Sequence, residues 1–147
     1  MKEDHQQENQ RMTELKHVIS EIMPVNKLLG VEIRELKEGY TKVCVPFQEN
    51  FVGDFRRKLW HGGILASIAD TTGGLVALSL ARKQDQVNTV DMRIDYLHGA
   101  IEGEAIYGEG TLIKSGKRII LADVKLFQQH QEEPVVVARC AYSILRR

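Results

Sequence analysis

Apolar residues recur at helical spacing in two parts of the chain. The first part covers residues 12–29, where Pro24 interrupts the run, so the pattern predicts one amphipathic helix or a pair of short helices. The second part begins after His61 and is apolar around most of its circumference, which is typical of a buried central helix. The apolar face of the first part consists of Met12, Leu15, Val18, Ile19 and Ile22.

Apolar and polar residues alternate with a period of two in most of the remaining chain, which predicts β-strands. Residues 31–37 and 40–47 are expected to pair as a hairpin through Glu38-Gly39. In residues 88–97, Val90, Met92, Ile94 and Tyr96 fall on one face and Thr89, Asp91, Arg93 and Asp95 on the other, so this strand is expected to be half exposed. Further strands are predicted at 101–114, 117–129 and 134–145.

These elements define an α+β architecture. One long central helix and a short N-terminal helix accompany an antiparallel sheet of five to six strands. The length of 147 residues fits a single domain, 1–147, in which the polar segment 1–11 is expected to be a flexible tail.

Asp70 is the one charged residue in a narrow stripe of small side chains on the central helix. An ionised carboxylate among apolar neighbours is costly without a partner. At the start of the same helix, the amides of Gly62 and Gly63 are expected to present N–H donors at the positive end of the helix dipole. Hydrogen-bond donors and a carboxylate together favour an acyl-transfer site, although a tight turn and a satisfied core Asp would explain the two features separately. The stripe consists of Gly63, Ala66, Ser67, Asp70 and Gly74.

The segment from Trp60 to Gly74, WHGGILASIADTTGG, resembles the signature of hot-dog-fold thioesterases of the phenylacetate-pathway (PaaI-like) type. In that family His-Gly-Gly opens the central helix, and an acidic residue follows nine positions after the His, as Asp70 follows His61 here. Residues 88–97 are similar to the family's next strand, and residues 28–33 to the start of its first strand. The resemblance implies a hot-dog fold and an acyl-CoA thioesterase.

The expected mechanism assigns a role to each motif residue. The amide of Gly62 or Gly63 binds the thioester oxygen, and Asp70 either activates water or attacks directly to give an anhydride. Thr89 falls where similar enzymes carry Ser or Thr and is expected to orient the water. His61 is expected first to fix the helix start, with a role as base as the alternative.

The resemblance also implies a homodimer or a dimer of dimers, with an active site across the interface and the glycine amides and acidic residue from different subunits. Many relatives carry an Asn or another polar residue about six positions before the His, where this chain has Phe55. Either Asp54 or Asn50 replaces it, or the role is carried otherwise.

Residues 48–60 show no clear periodicity and are interpreted as a loop. This loop is either a solvated charged segment or a lid or wall of the acyl pocket, with Phe51, Phe55 and Trp60 as its apolar contacts. Coenzyme A is part of the expected substrate, so no separate cofactor is expected. Its phosphates are expected to meet basic side chains from two clusters. These residues are Arg56, Arg57, Lys114, Lys117 and Arg118.

Composition narrows the functional classes. The 20 basic and 20 acidic residues balance, which argues against a nucleic-acid binder. Cys44 and Cys140 lack metal-site spacing, so no metal is expected and a reduced, cytoplasmic protein fits. No membrane association is expected, because residues 62–81, the most apolar stretch, contain Asp70 and four glycines.

Other functions remain open at this point. A non-catalytic acyl-CoA sensor would bind acyl-CoA without hydrolysing it, and a structural dimerisation module would neither bind nor hydrolyse it. A Ser-His-Asp hydrolase is poorly supported, since no Ser lies in a GxSxG elbow. A small to medium-chain acyl group, aliphatic or aryl, is expected, and the low aromatic content of 6% favours the aliphatic kind.

Overall fold

The computed structural model describes residues 1–147, the side chain of Lys2 excepted. Three α-helices and eight strands follow one another along the chain. In order they are α1 Lys2–His17, a π-helical turn Val18–Ile22, α2 Pro24–Leu29, β1 Glu32–Lys37, β2 Tyr40–Val45, a 3₁₀ turn Glu49–Phe51, β3 Val52–Asp54, β4 Leu59–Trp60, α3 Gly62–Ser79, β5 Gln86–Tyr96, β6 Ile106–Ser115, β7 Ile119–Phe127 and β8 Val136–Leu145.

Six of the strands form one antiparallel sheet in the order β1-β2-β6-β7-β8-β5. The long helix α3 packs across β2, β6, β7, β8 and β5, and the buried side chains of α3 and the sheet form the core between them. The short strands β3 and β4 pair separately, just before α3 begins. This is the predicted α+β arrangement of one long helix against an antiparallel sheet.

Two glycines of β6 bring the sheet close to α3. A Cβ atom on Gly108 would lie 2.7 Å from Thr72 Oγ1, and one on Gly110 would lie 2.9 Å from Val76 Cγ2 and 3.1 Å from the Thr72 carbonyl oxygen. Real side chains do not fit at such distances, so the middle of the helix rests directly on the backbone of β6.

The N-terminal helix begins at Lys2, earlier than the periodicity of residues 12–29 predicts, and its residues 3–10 are exposed. It is attached to α3 through Arg11, whose guanidinium donates to the carbonyls of Ser79 and Ala81, both at 2.7 Å. Ser79 is the last residue of α3 and Ala81 lies two residues beyond it, so Arg11 caps the C-terminal end of the helix. The predicted break at Pro24 is present, because Pro24 opens α2.

The interpretation of residues 48–60 as an irregular loop is wrong, because a 3₁₀ turn and the β3–β4 hairpin occupy most of the segment. Asp54 closes the turn of this hairpin. Its Oδ1 accepts from the amides of Arg56 at 3.1 Å and Arg57 at 3.0 Å, and its Oδ2 from Arg57 Nε at 2.6 Å. An Asp that binds amides two and three residues ahead forms a turn without any apolar periodicity, which is why the pattern did not reveal the hairpin.

The predicted faces of β5 are also partly wrong. Thr89 pairs with Tyr142 and Asp91 with Ala141, so Val90 is an extra residue that forms a β-bulge. The bulge reverses the alternation, and Thr89 therefore lies on the helix-facing side, the same side as Met92. Val90, expected on the apolar face, is 57% exposed.

Candidate active site

His61 ends the chain segment that leads into α3 and caps the helix. Its backbone is extended, with φ −66° and ψ 131°, and its Nδ1 accepts a hydrogen bond from the amide of Gly63 at 2.9 Å. Its carbonyl accepts from the amides of Ile64 and Leu65. The imidazole thus satisfies one of the free donors of the first helical turn, as an N-cap side chain does.

The amide of Gly62 is the donor left free at this helix terminus. No acceptor among the described residues contacts it, whereas the neighbouring amide of Gly63 is bound to His61. Tyr96 lies beside Gly62 and donates its hydroxyl to the Gly62 carbonyl at 2.8 Å. The two candidate donors of the sequence are therefore not equivalent, and the helix dipole favours an anion at Gly62.

Asp70 lies in the middle of α3 and is bound by side chains from two strands. Thr89 Oγ1 donates to Asp70 Oδ1 at 2.9 Å. The Tyr142 hydroxyl lies 2.8 Å from the Asp70 carbonyl oxygen and 3.2 Å from Oδ1. No donor of the described residues contacts Oδ2. Burial raises the pKa of the Tyr142 phenol, so the hydroxyl stays protonated and acts as a donor.

A cavity of about 200 Å³ opens beside Asp70. One wall comes from α3 and strands β5 and β8, and the other from the π-helical turn and α2. Asn26 is the polar residue of that second wall, 2% exposed, and its Oδ1 accepts from Thr71 Oγ1 at 3.2 Å. The lining residues are Ile19, Met23, Val25, Asn26, Asp70, Thr71, Gly74, Leu78, Val87, Thr89 and Tyr142.

Sequence reasoning missed Asn26 and Tyr142. Tyr142 alternates with Cys140 and Ile144 along β8, which places it on the buried face, but no local pattern shows that this face meets Asp70. Asn26 lies in a short helix among exposed residues and gives no signal of burial.

A second depression, of about 410 Å³, lies at the start of α3 and includes Gly62, His61, Arg56 and Arg57. Arg57 also pairs with Asp54, and these hydrogen bonds lower the pKa of the Asp54 carboxyl.

The predicted aromatic contacts differ in exposure. Phe55 and Trp60 border the same depression, but Phe55 is 77% exposed and Trp60 is buried. Phe51 is buried against Trp60. Of the two candidate substitutes for the expected polar residue, Asp54 is held by the hairpin turn and Asn50 is exposed. Asn26 is the amide that borders the Asp70 cavity.

The second basic cluster, Lys114, Lys117 and Arg118, lies at the other end of α3. Gly108 faces Thr72 and Gly110 faces Val76, so β6 runs toward the C-terminal end of the helix before it reaches the β6–β7 turn. Within one chain, the structure therefore separates this cluster from the depression that holds Arg56 and Arg57.

No group of three or more His, Cys, Asp or Glu side chains suited to a metal ion occurs in the part of the chain that the structure describes. Cys44 and Cys140 are both buried and free.

Helix α3 is long and apolar enough to span a membrane, by length and composition alone. In this structure it is the core helix, with Leu65, Ile68 and Leu75 buried.

Known proteins resemble this chain in sequence and in structure. The model of the thioesterase superfamily matches residues 58–135, more than half of the chain. The medium/long-chain acyl-CoA thioesterase YigI of Escherichia coli K12 is 28% identical over 129 residues, which cover 79% of this chain and 81% of YigI.

Among solved structures, Escherichia coli PaaI superposes with a TM-score of 0.82 at 21% identity, over 92% of this chain and 94% of PaaI. A hypothetical thioesterase of Streptococcus pneumoniae with coenzyme A has a TM-score of 0.72 at 21% identity, over 80% and 87% of the two chains. These likenesses show the fold. The chain therefore belongs to the thioesterase superfamily and has the hot-dog fold, and its prediction as a thioester hydrolase is confirmed.

Proposed function

We propose that this protein hydrolyses acyl-CoA thioesters to the free acid and coenzyme A. The observation that carries the proposal is the Asp70 carboxylate, whose Oδ1 is bound to Thr89 and Tyr142, whose Oδ2 has no donor among the described residues, and which borders a largely apolar cavity. Two comparisons support the CoA ester as substrate: the sequence relative YigI is named an acyl-CoA thioesterase, and the structure from Streptococcus pneumoniae contains coenzyme A.

The cavity beside Asp70 is the proposed acyl site. Its apolar lining side chains, Ile19, Met23, Val25, Leu78 and Val87, suit a hydrocarbon group, and its volume suits a small to medium-chain aliphatic or aryl acyl group. Asn26 supplies the polar contact on the wall opposite α3.

The chemistry follows from one free donor and one free carboxylate oxygen. The Gly62 amide binds the thioester carbonyl oxygen, where negative charge develops as the tetrahedral intermediate forms. In one route Asp70 takes a proton from water, the hydroxide adds to the carbonyl carbon, and the C–S bond breaks with the proton passing to the thiolate. In the other route Asp70 attacks the carbonyl carbon, CoA leaves, and water hydrolyses the anhydride.

The Gly62 amide and the Asp70 carboxylate of the same chain are too far apart to act together on one thioester. Gly62 and Asp70 are eight residues apart on α3, and a rise of 1.5 Å per residue separates their Cα atoms by about 12 Å. A reacting carbonyl lies about 3 Å from each group that acts on it. The proposed site therefore combines Gly62 of one copy with Asp70 of another, which supports a homodimer.

The edge strand β5 supports the same assembly. It is 11 residues long, mostly exposed, and pairs with β8 on one side only. A long unpaired strand edge is usually covered, and a two-fold pairing with a second copy covers it. Sedimentation equilibrium should give the mass of two chains, or of four if two dimers associate.

Arg56 and Arg57 are the proposed contacts for the CoA phosphates, because they border the depression that contains Gly62. Lys114, Lys117 and Arg118 lie at the opposite end of α3, so they reach the same CoA only from the second copy. The proposal includes a cytoplasmic location, which the two free buried cysteines support.

The test compares wild type with Asp70→Asn, with Asp91→Asn as the matched control on the outer face of β5. Thiol release from acyl-CoAs of increasing chain length, phenylacetyl-CoA and hydroxybenzoyl-CoA is measured. We expect Asp70→Asn to lower kcat about 100- to 10,000-fold, as loss of a general base does, and Asp91→Asn to leave it unchanged.

Two outcomes contradict the proposal. Binding of acyl-CoA by wild type without thiol release identifies a sensor, which is the second candidate function. Full activity of Asp70→Asn shows that another group performs the reaction.

A further inference from the structure

We infer that Tyr142 is a positioning residue for the reaction: it holds Asp70 so that Oδ2 is the oxygen presented to water or to the thioester. The inference rests on the proposed function, because it concerns the same carboxylate.

The hydrogen bonds around Asp70 are one-sided. The Tyr142 hydroxyl lies between the Asp70 carbonyl oxygen and Oδ1, at 2.8 and 3.2 Å, and Thr89 Oγ1 donates to the same Oδ1 at 2.9 Å. Oδ2 receives no donor from the described residues. Because both side-chain donors converge on one oxygen, rotation of the carboxylate about its Cβ–Cγ bond breaks these hydrogen bonds, and the two donors together fix the orientation of the carboxylate.

Gly73 of α3 leaves the space that the Tyr142 hydroxyl occupies. Tyr142 is 2% exposed, and a Cβ atom on Gly73 would lie 2.5 Å from its oxygen. Any larger residue at position 73 removes the space in which the hydroxyl meets Asp70. Gly73 thus has a specific reason to be glycine, in addition to the close packing of α3 on the sheet.

The role differs from that of a catalytic residue. Tyr142 acts through its hydrogen bonds to the Asp70 carbonyl oxygen and Oδ1, and burial raises the pKa of its phenol, which favours the protonated, donating hydroxyl. Its contribution is a fixed orientation, which lowers the entropy that the carboxylate loses on reaching the transition state.

The test is Tyr142→Phe, which keeps the ring and removes the hydroxyl, with Tyr107→Phe as the matched control. Tyr107 lies on β6 next to Gly108, which faces α3, so its own side chain points to the opposite face of the sheet. We expect Tyr142→Phe to lower kcat about tenfold, the effect of losing one hydrogen bond to a charged group, with KM within about twofold of wild type. Tyr107→Phe should match wild type in both constants.

The split between kcat and KM separates positioning from packing. Packing damage at Tyr142 distorts the cavity that this residue lines, so it should raise KM as well as lower kcat, whereas loss of positioning lowers kcat alone. Thr89→Val, which removes the other donor to Oδ1, should lower kcat in the same way, and Thr89→Ser, which keeps the hydroxyl, should retain the wild-type value.

The inference is overturned if Tyr142→Phe keeps wild-type kcat, or if its KM rises as its kcat falls. Failure of the proposed function gives a different result, because wild type then lacks thioesterase activity or Asp70→Asn retains it.

Discussion

Replacing Gly63 with Ala should remove the N-cap of α3. An ideal Cβ on Gly63 lies 2.8 Å from His61 Cε1 and 2.9 Å from Nδ1, so the imidazole has to leave and the bond from the Gly63 amide is lost. Loss of an N-cap costs about 1 kcal/mol of the free energy of unfolding, within a range of about 0.5–2 kcal/mol. For a chain of this length the melting temperature should fall by about 2–4 °C.

Gly62→Ala is the matched control. Both substitutions restrict the unfolded chain by about the same amount, which cancels in the comparison. A Cβ on Gly62 makes ordinary contact with Tyr96 Cε1 at 3.4 Å and leaves the cap intact. We therefore expect Gly63→Ala to be less stable than Gly62→Ala by about 1 kcal/mol in urea or thermal unfolding at equal protein concentration.

A double-mutant cycle with His61→Ala isolates the cause. With no imidazole at position 61, the added methyl of Gly63→Ala meets nothing, so its cost should disappear in that background. Equal stability of the two glycine variants, or an unchanged cost in His61→Ala, would refute the reasoning.

Two further predictions concern the cavity and a buried thiol. Leu78 borders the cavity proposed as the acyl site, so Leu78→Ala should shift the best substrate to a longer acyl chain and Leu78→Trp to a shorter one. Across a chain-length series, the relative kcat/KM should change by about 10- to 200-fold per methylene. Burial raises the pKa of the Cys140 thiol to about 11, so at pH 8 only about one thiol in 1,000 is ionised, and alkylation by iodoacetamide should be slow until the protein is unfolded in urea. Rapid labelling of Cys140 in the folded protein by mass spectrometry would contradict this burial.

The long elements were predictable because their signals are local. The His-Gly-Gly start and the apolar run that follows predict α3, and Glu38-Gly39 predicts the first hairpin, which has Gly39 at φ 75°. The bulge at Val90 has no such signature. It depends on how β5 pairs with β8, so the sequence predicted the strand and assigned Thr89 to the wrong face.

The residues of the candidate site also fall into two groups: those with a local sequence signal, and those that only the fold brings together. Asp70, Gly62 and Thr89 carry a recognisable spacing and were predicted together. Tyr142 is 72 residues away from Asp70 and Asn26 is 45 residues away from Thr71, so only the fold brings these pairs into contact. Periodicity reports which residues share a face of one element, but it does not report which elements meet.

Because α3 packs directly on the backbone of β6, the position of Asp70 and the shape of the cavity beside it depend on different residues. Gly108 and Gly110 place main chain against helix, so the height of Asp70 above the sheet does not depend on the size of core side chains. The opposite wall of the cavity, residues 18–28, carries several exposed apolar side chains. Substitutions in this wall therefore change the shape of the proposed acyl site while the Asp70 carboxylate stays in place. New acyl preferences can arise in this scaffold one surface residue at a time, without a compensating change in the core.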